Sequence, residues 1–185
     1  VRHSSIDLIS VSAHKLHGPT GVGALVLRPE ARKRVVSRQL GGGQESGLRA
    51  GTVSPLLVGG MGAAAELCSV SLEHRLARCE SLRRDALAAF DRVGAHLNMA
   101  PARSLPNVLN LRFDGLDSEL GILAVRDLAS VSAGSACHSG GAPSHVLLAQ
   151  GLSPVQARSS LRISWSYLTE PPDWAAVAAR LAGYG

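Results

Sequence analysis

The chain has 185 residues, of which 45% are hydrophobic and 18% charged, which excludes a disordered or fibrous protein. This length suits one large domain or two small ones. No apolar run reaches the roughly 20 residues needed to cross a bilayer, and the start shows no signal-peptide pattern, so we expect no membrane association. The formal net charge is +5, but the basic residues are scattered and only 3% of residues are aromatic, so we expect no direct nucleic-acid binding.

Short apolar runs alternate with glycine-rich turns in the first part of the chain. The run at residues 6–11 predicts a buried strand that ends in a polar turn, and residues 24–27 predict a second strand. A basic helical turn is expected at residues 30–37, before a glycine-rich loop at residues 41–52. Because the chain opens without Met and directly in a strand pattern, we expect it to be a piece of a longer chain.

A helical pattern begins at Pro55. The apolar residues that follow recur every three or four positions and predict one face of a long helix: Leu72, Leu76, Cys79, Leu82, Ala86 and Phe90. Further on, strands are predicted at residues 107–113, 130–133 and 161–164. Helices are predicted at residues 117–127 with Asp117 as N-cap, from Pro143 onward, and around the stripe Trp174, Val177, Ala178 and Leu181. This alternation indicates an α/β or α+β fold, and a shift in composition near residue 70 suggests a domain boundary.

Two residues stand out as candidates for chemistry. Lys15, one of only two lysines, ends an apolar run beside His14 and before glycines, where partial desolvation would favour a free amine for Schiff-base formation. Cys137 lies in a Gly/Ser-rich loop, and its neighbour His138 could favour the thiolate. On the residues alone, a surface loop lysine and a small loop cysteine remain open alternatives.

The other two cysteines show no sequence feature that suggests a chemical role. Cys68 and Cys79 follow helical apolar spacing, which predicts packing residues. The three cysteines form neither a disulfide framework nor a metal-ligand pattern, so we expect no metal site and a reducing, cytoplasmic setting.

Six motifs in this order resemble those of the cysteine desulfurases, pyridoxal-phosphate enzymes of the class V aminotransferase superfamily. They are residues 11–25 (VSAHKLHGPTGVGAL), 41–52 (GGGQESGLRAGT), 105–108 (LPNV), 134–137 (GSAC), 143–147 (PSHVL) and 160–164 (SLRIS). The resemblance implies an α/β enzyme of fold-type I. Residues 1–70 would be the rear of the large cofactor-binding domain, and residues 71–185 the small α+β C-terminal domain that carries the catalytic cysteine loop.

The resemblance also implies a set of cofactor-binding residues. Lys15 matches the lysine that binds pyridoxal 5'-phosphate covalently and then serves as general acid and base. Ser12 and His14 match residues that bind its phosphate. Thr52 matches a threonine that reaches the phosphate in the partner subunit, which implies a homodimer with shared sites.

Substrate chemistry follows from two further matches. Arg162 matches the arginine that pairs with the substrate carboxylate, a role that suits the two-pronged guanidinium. Cys137 matches the nucleophile that takes sulfur from L-cysteine as a persulfide, which releases L-alanine. The persulfide would pass to an acceptor or scaffold protein for iron–sulfur cluster, thio-cofactor or tRNA biosynthesis.

Departures from the family pattern leave alternatives open. The pair Cys137-His138 resembles selenocysteine lyases, and Trp165-Ser166-Tyr167 stands where the family usually has Leu-Gly-Arg. Family residues that precede the lysine segment are absent, so we expect the chain alone to be inactive. The alternatives are a fragment that acts only as an interaction module and a class V aminotransferase, which would not need the thiol of Cys137.

Overall fold

The computed structural model describes residues 5–100, 104–133 and 143–184. The chain divides into two compact units, Val1–Leu72 and Glu73–Gly185. The first unit contains strands β1 (Leu8–Ser12) and β2 (Gly23–Leu27) and helices α1 (Pro29–Arg32) and α2 (Pro55–Val70). Helix α3 (Leu72–Asp91) begins at the boundary. The second unit continues with β3 (His96–Leu97), β4 (Val108–Arg112), α4 (Ser118–Val125), α5 (His145–Ala149), α6 (Pro154–Arg158), β5 (Ser160–Ser164) and α7 (Trp174–Ala182).

An antiparallel hairpin organises the first unit. Strand β1 pairs with β2 in a register that runs from Leu8 opposite Leu27 to Ser12 opposite Gly23. Both predicted strands are confirmed within two residues. The expectation of a buried strand is wrong here, because every β1 side chain is exposed or half-buried.

Helix α1 is shorter than the predicted turn at residues 30–37. It ends at Arg32 because the next N–H groups, of Arg34 and Val35, bond to carbonyls three residues back instead of four.

Helix α2 packs through small residues against the chain that joins β1 to β2. A Cβ built on Gly18 would lie 3.1 Å from the Cβ of Ala64, and one built on Gly60 would lie 3.0 Å from Cγ of Pro19. These glycines therefore allow a backbone approach that a larger side chain would prevent.

Little apolar surface is buried in the first unit. Among its described residues only Ala13, Ala31 and Ala64 are buried. Large exposed apolar side chains include Leu8, Leu25, Val36, Leu40, Leu56, Leu67 and Val70. These exposed side chains form an apolar surface that another element could cover. Such packing would also stabilise the hairpin, because a two-stranded hairpin is marginally stable without it.

The second unit has a compact apolar core. Its antiparallel sheet has the order β3–β4–β5, and one face carries the buried side chains Leu109, Leu111, Leu161 and Ile163. Helices α3, α4 and α7 add buried residues that include Leu82, Phe90, Val125, Val177 and Leu181. An aromatic cluster closes the core: the ring centroids of Trp165 and Trp174 are 5.6 Å apart, and those of Phe90 and Phe113 are 6.1 Å apart.

Several predicted elements of this unit are confirmed. Asp117 caps α4, since its Oδ1 accepts hydrogen bonds from the N–H groups of Glu119 (2.8 Å) and Leu120 (3.3 Å). The predicted long helix is present as α3, and Cys79, Leu82, Ala86 and Phe90 on its stripe are buried. Leu72 and Leu76 lie on the same stripe but are not buried, since their exposed fractions are 49% and 43%.

Three other predictions need correction. Pro143 does not open a helix, because Ser144 is the N-cap and α5 begins at His145. Residues 130–133 do not form a strand but make one isolated bridge, between Ser132 and Arg162. Helix α6 was missed, although the sequence carries its capping box of Ser153 and Gln156.

Candidate active site

A tightly held turn carries Ser12, His14 and Lys15. Ser12 ends β1, and residues Ala13–Leu16 form a single 3₁₀ turn. Ala13 is fully buried; its N–H donates to the carbonyl of Val22 (3.1 Å), and its own carbonyl accepts from Gly18 N–H (2.9 Å). These bonds hold the backbone, while the side chains of Ser12, His14 and Lys15 are exposed around the buried Ala13.

The end of this turn explains the glycine that follows it. His17 adopts a left-handed conformation with φ of 64°, which ends the 3₁₀ turn. A Cβ on Gly18 would lie 3.1 Å from the Ala13 carbonyl oxygen, so glycine allows the chain to close against its own start. The glycine after His17 in this motif is therefore explained by backbone packing as well as by the chemistry of the neighbouring side chains.

The chemistry of this turn fits pyridoxal phosphate. A hydroxyl, an imidazole and a primary amine stand within four consecutive residues, which suits a ligand that bears both a phosphate and an aldehyde. Lys15 is exposed in this chain, so the partial desolvation expected for it is absent here. Burial of this amine requires further protein or a bound ligand.

Thr52 lies in a loop organised by the glycine-rich stretch before it. Glu45 and Ser46 have φ of 51° and 56°, and Gly47 continues the left-handed run. The side chain of Gln44 accepts from Gly51 N–H through Oε1 (3.2 Å). Thr52 itself is exposed and stands just ahead of α2.

Arg162 belongs to the second unit. It lies at the centre of β5, opposite Asn110 of β4, and is half-buried. Its neighbours Leu161 and Ile163 are buried in the core, so Arg162 points to the opposite, polar face of the sheet. Nη2 of Arg162 lies 3.5 Å from Oγ of Ser132.

The cysteines differ in their surroundings. Cys79 is buried in the core of the second unit, and burial, with a smaller contribution from Glu80, raises the pKa of its thiol. It is therefore a poor nucleophile and a packing residue, as predicted. Cys68 is half-buried, and both thiols are free. The predicted nucleophile Cys137 lies outside the described residues.

The structure thus groups Ser12, His14 and Lys15 on one turn, while Thr52 lies elsewhere in the first unit and Arg162 in the second. Sequence reasoning missed Ser132, which adjoins the predicted arginine. It also missed the polar residues Asn98 and Asn110, which share a sheet face with Arg162. No local pattern could have revealed Ser132, because it lies 30 residues from Arg162 in the chain.

Comparisons with known proteins show which family this chain resembles. The family model described as Aminotransferase class-V matches residues 1–173. A relative from Frankia sp. (strain EuIK1), named cysteine desulfurase, is 42% identical over 171 residues, which cover 87% of this chain and 39% of the relative.

Two solved structures are similar to this chain over most of its length. One named NifS-like protein superposes with a TM-score of 0.81 at 28% identity and covers 97% of this chain and 46% of that one. SspA in complex with cysteine superposes with a TM-score of 0.67 at 34% identity and covers 90% of this chain and 44% of that one.

The chain belongs to the aminotransferase class-V family. Its fold is the mixed α/β fold of the fold-type I pyridoxal-phosphate enzymes. It spans about two fifths of the length of the curated relatives that it matches. Across residues 5–100, 104–133 and 143–184, no single helix is long and apolar enough to span a membrane. Helices α2 and α3 reach the required length and composition only when they are taken together as one bent pair.

Proposed function

We propose that this chain is the C-terminal part of a pyridoxal-phosphate-dependent cysteine desulfurase. The observation that carries the proposal is the turn after β1, which presents Ser12, His14 and Lys15 together. The chain that contains this turn is 42% identical to a cysteine desulfurase over 171 residues. Residues 1–70 are assigned to the rear of the large cofactor domain and residues 71–185 to the small domain. The exposed apolar surface of the first unit supports this assignment, because the rest of a large domain would cover it.

The cofactor would be held by residues of the first unit. Lys15 would bind its aldehyde carbon, while Ser12 and His14 would donate hydrogen bonds to its phosphate. Thr52 would reach the phosphate of the partner subunit's cofactor in a homodimer. When bound, pyridoxal phosphate supplies an electron sink that acidifies the α-carbon of an amino acid. The Lys15 amine, once displaced by substrate, can hold and return a proton.

The substrate residues would act on L-cysteine. Arg162 would bind its carboxylate through two parallel hydrogen bonds. The thiolate of Cys137 would take the sulfur, which leaves a Cys137 persulfide and L-alanine. An acceptor or scaffold protein would then receive this sulfur for iron–sulfur cluster, thio-cofactor or tRNA biosynthesis. The solved structure of SspA with cysteine supports the choice of substrate, and the free thiols of Cys68 and Cys79 suit a reducing, cytoplasmic compartment.

The scarcity of lysine gives a direct test of the cofactor site. The chain is mixed with pyridoxal phosphate and reduced with borohydride, and the adduct is mapped by mass spectrometry. We expect the adduct on Lys15 in preference to Lys33. Lys33→Ala should leave it unchanged, and Lys15→Ala should show only the sparse labelling of Lys33 and the N-terminus. Equal labelling of both lysines and the N-terminus would contradict a formed cofactor site in this chain.

Activity is tested in the completed enzyme, which we define as this chain joined to the remaining residues of the Frankia relative. The completed enzyme should release alanine from cysteine, whereas the 185-residue chain alone should not. Cys137→Ala should abolish alanine release and leave the adduct on Lys15 intact. Full alanine release by Cys137→Ala would exclude Cys137 as the nucleophile.

A further inference from the structure

A polar row crosses the sheet of the second unit beside Arg162. Residues directly opposite each other on neighbouring antiparallel strands share a face. Asn110 lies opposite Arg162, and Asn98 continues the row on the far side, since its N–H donates to the Asn110 carbonyl at 3.0 Å. Ser132 extends the row beyond β5 through its bridge to Arg162. Arg162 therefore lies between two polar neighbours, Asn110 and Ser132.

Hydrogen bonds hold the Asn110 side of this row in place. Nδ2 of Asn98 donates to Oδ1 of Asn110 at 2.6 Å and to Oγ of Ser160 at 2.9 Å. Ser160 is fully buried, and its hydroxyl donates in turn to the carbonyl of Gln156 at 2.7 Å. This network fixes the side chain beside Arg162 and ties it to α6.

Ser132 constrains Arg162 from the other side. The two residues exchange both backbone hydrogen bonds, with N···O distances of 3.0 Å from Ser132 to Arg162 and 2.6 Å in the reverse direction. The hydroxyl oxygen of Ser132 lies 3.5 Å from Nη2 of Arg162. This distance is at the long limit for a hydrogen bond, so the contact is a weak one on its own.

The geometry points to Ser132 as a positioning residue for Arg162, an inference that rests on the proposed function. The backbone bridge fixes where the arginine side chain starts, and the hydroxyl accepts from one guanidinium N–H. A guanidinium has five N–H donors, so the others stay available for a substrate carboxylate. Ser132 thereby orients the guanidinium without touching the reacting atoms.

Kinetics of the completed enzyme test the inference. Ser132→Ala should raise the KM for L-cysteine and the inhibition constant of L-alanine together by about 3- to 10-fold, the loss expected for one hydrogen bond. We expect kcat to stay within about twofold, because the same carboxylate contact serves the bound substrate and the transition state. Ser132→Thr, which keeps the hydroxyl, should restore both constants.

Ser130→Ala is the matched control. Ser130 lies two residues earlier in the same segment, is exposed, and has no side-chain hydrogen bond to the described part of the chain. Unchanged constants in Ser132→Ala, or a fall in kcat alone, would overturn the inference. An equal effect of Ser130→Ala would overturn it as well.

A second measurement separates this inference from the proposed function. In the 185-residue chain, the side-chain N–H signals of Arg162 are assigned by NMR with Arg162→Lys, and their hydrogen exchange is measured. Ser132→Ala should accelerate this exchange by about 3- to 10-fold, whereas Ser130→Ala should not. If the completed enzyme lacks turnover but exchange responds, the proposed function fails and the Ser132–Arg162 contact stands. If exchange does not respond, the contact itself is refuted.

Discussion

The indole Nε1 of Trp165 donates a hydrogen bond of 3.2 Å to the backbone carbonyl of Cys79. This bond joins the residue after β5 to the middle of α3 across 86 positions of sequence. It also holds the start of Trp165-Ser166-Tyr167, the segment that departs from the family pattern. The guanidinium of Arg75 reinforces the same connection, because it lies 4.3 Å from the ring centroid of Tyr167.

Replacement of Trp165 by Phe should destabilise the second unit by about 1–2 kcal/mol, because it removes the donor and leaves a small void. Urea unfolding followed by far-UV circular dichroism measures this change. Leu168→Ala, at an exposed position of the same segment, should have little effect. A Trp165→Phe variant as stable as the parent would show that the hydrogen bond contributes nothing net.

Arg83 is a buried cation that holds the segment before β4. It is 3% exposed and donates to the carbonyls of Ser104 (3.4 Å) and Leu105 (3.3 Å) and to Oγ of Ser104 (2.6 Å). Arg83→Met should cost about 1–3 kcal/mol, because the two carbonyls and the Ser104 hydroxyl lose a charged donor. The neighbouring exposed Arg84→Met should stay within about 0.5 kcal/mol. Equal losses in the two variants, measured by urea unfolding, would argue against this role.

The pair Asp127–Arg180 should make stability depend on pH. Nη1 of Arg180 donates to both carboxylate oxygens of Asp127, and this hydrogen bond lowers the pKa of Asp127. A carboxyl whose pKa is lowered by folding stabilises the protein above its unfolded pKa, and the contribution disappears as pH falls through the folded pKa. Asp127→Asn should therefore lower the Tm near pH 7 but not at a pH well below 4. A Tm difference that persists unchanged at acidic pH would contradict the ion pair as its source.

Two adjacent glycines of α2 should respond in opposite ways to alanine. Gly59→Ala meets no atom within 4 Å and should stabilise the helix by about 0.5–1 kcal/mol. Gly60→Ala places a Cβ 3.0 Å from Cγ of Pro19, so the gain in helix propensity should be cancelled. Backbone hydrogen exchange within α2 compares the variants. Equal stabilisation by both would show that α2 does not press against Pro19.

The sequence predicted local elements well where side chains repeat with a clear period. Strand β4, helix α3 and the Asp117 cap agree with the prediction because short-range patterns determine them. The two-residue strand β3 is too short to show a period. The exposure of Leu72 and Leu76 could not be predicted, since helical spacing shows which face is apolar but not how much of it is covered.

The candidate site also contains residues that a sequence motif can identify and residues that only the fold brings together. Ser12, His14 and Lys15 are neighbours in sequence, so a motif could identify them together. The environment of Arg162 depends on strand register, which joins it to Asn110 and Ser132 from distant parts of the chain. Cys137 and the loop at residues 134–142 lie outside the described residues, so the role of Cys137 stays a prediction.

The aromatic cluster of Phe90, Phe113, Trp165 and Trp174 contains every phenylalanine and tryptophan of the chain. Intrinsic tryptophan fluorescence therefore reports on the second unit alone, and the first unit, which has no tryptophan or tyrosine, unfolds without an emission signal of its own. A melting curve recorded by emission describes one half of the molecule. A fluorophore introduced into the hairpin would make the other half visible, so the order in which the two units lose structure could be read in one experiment.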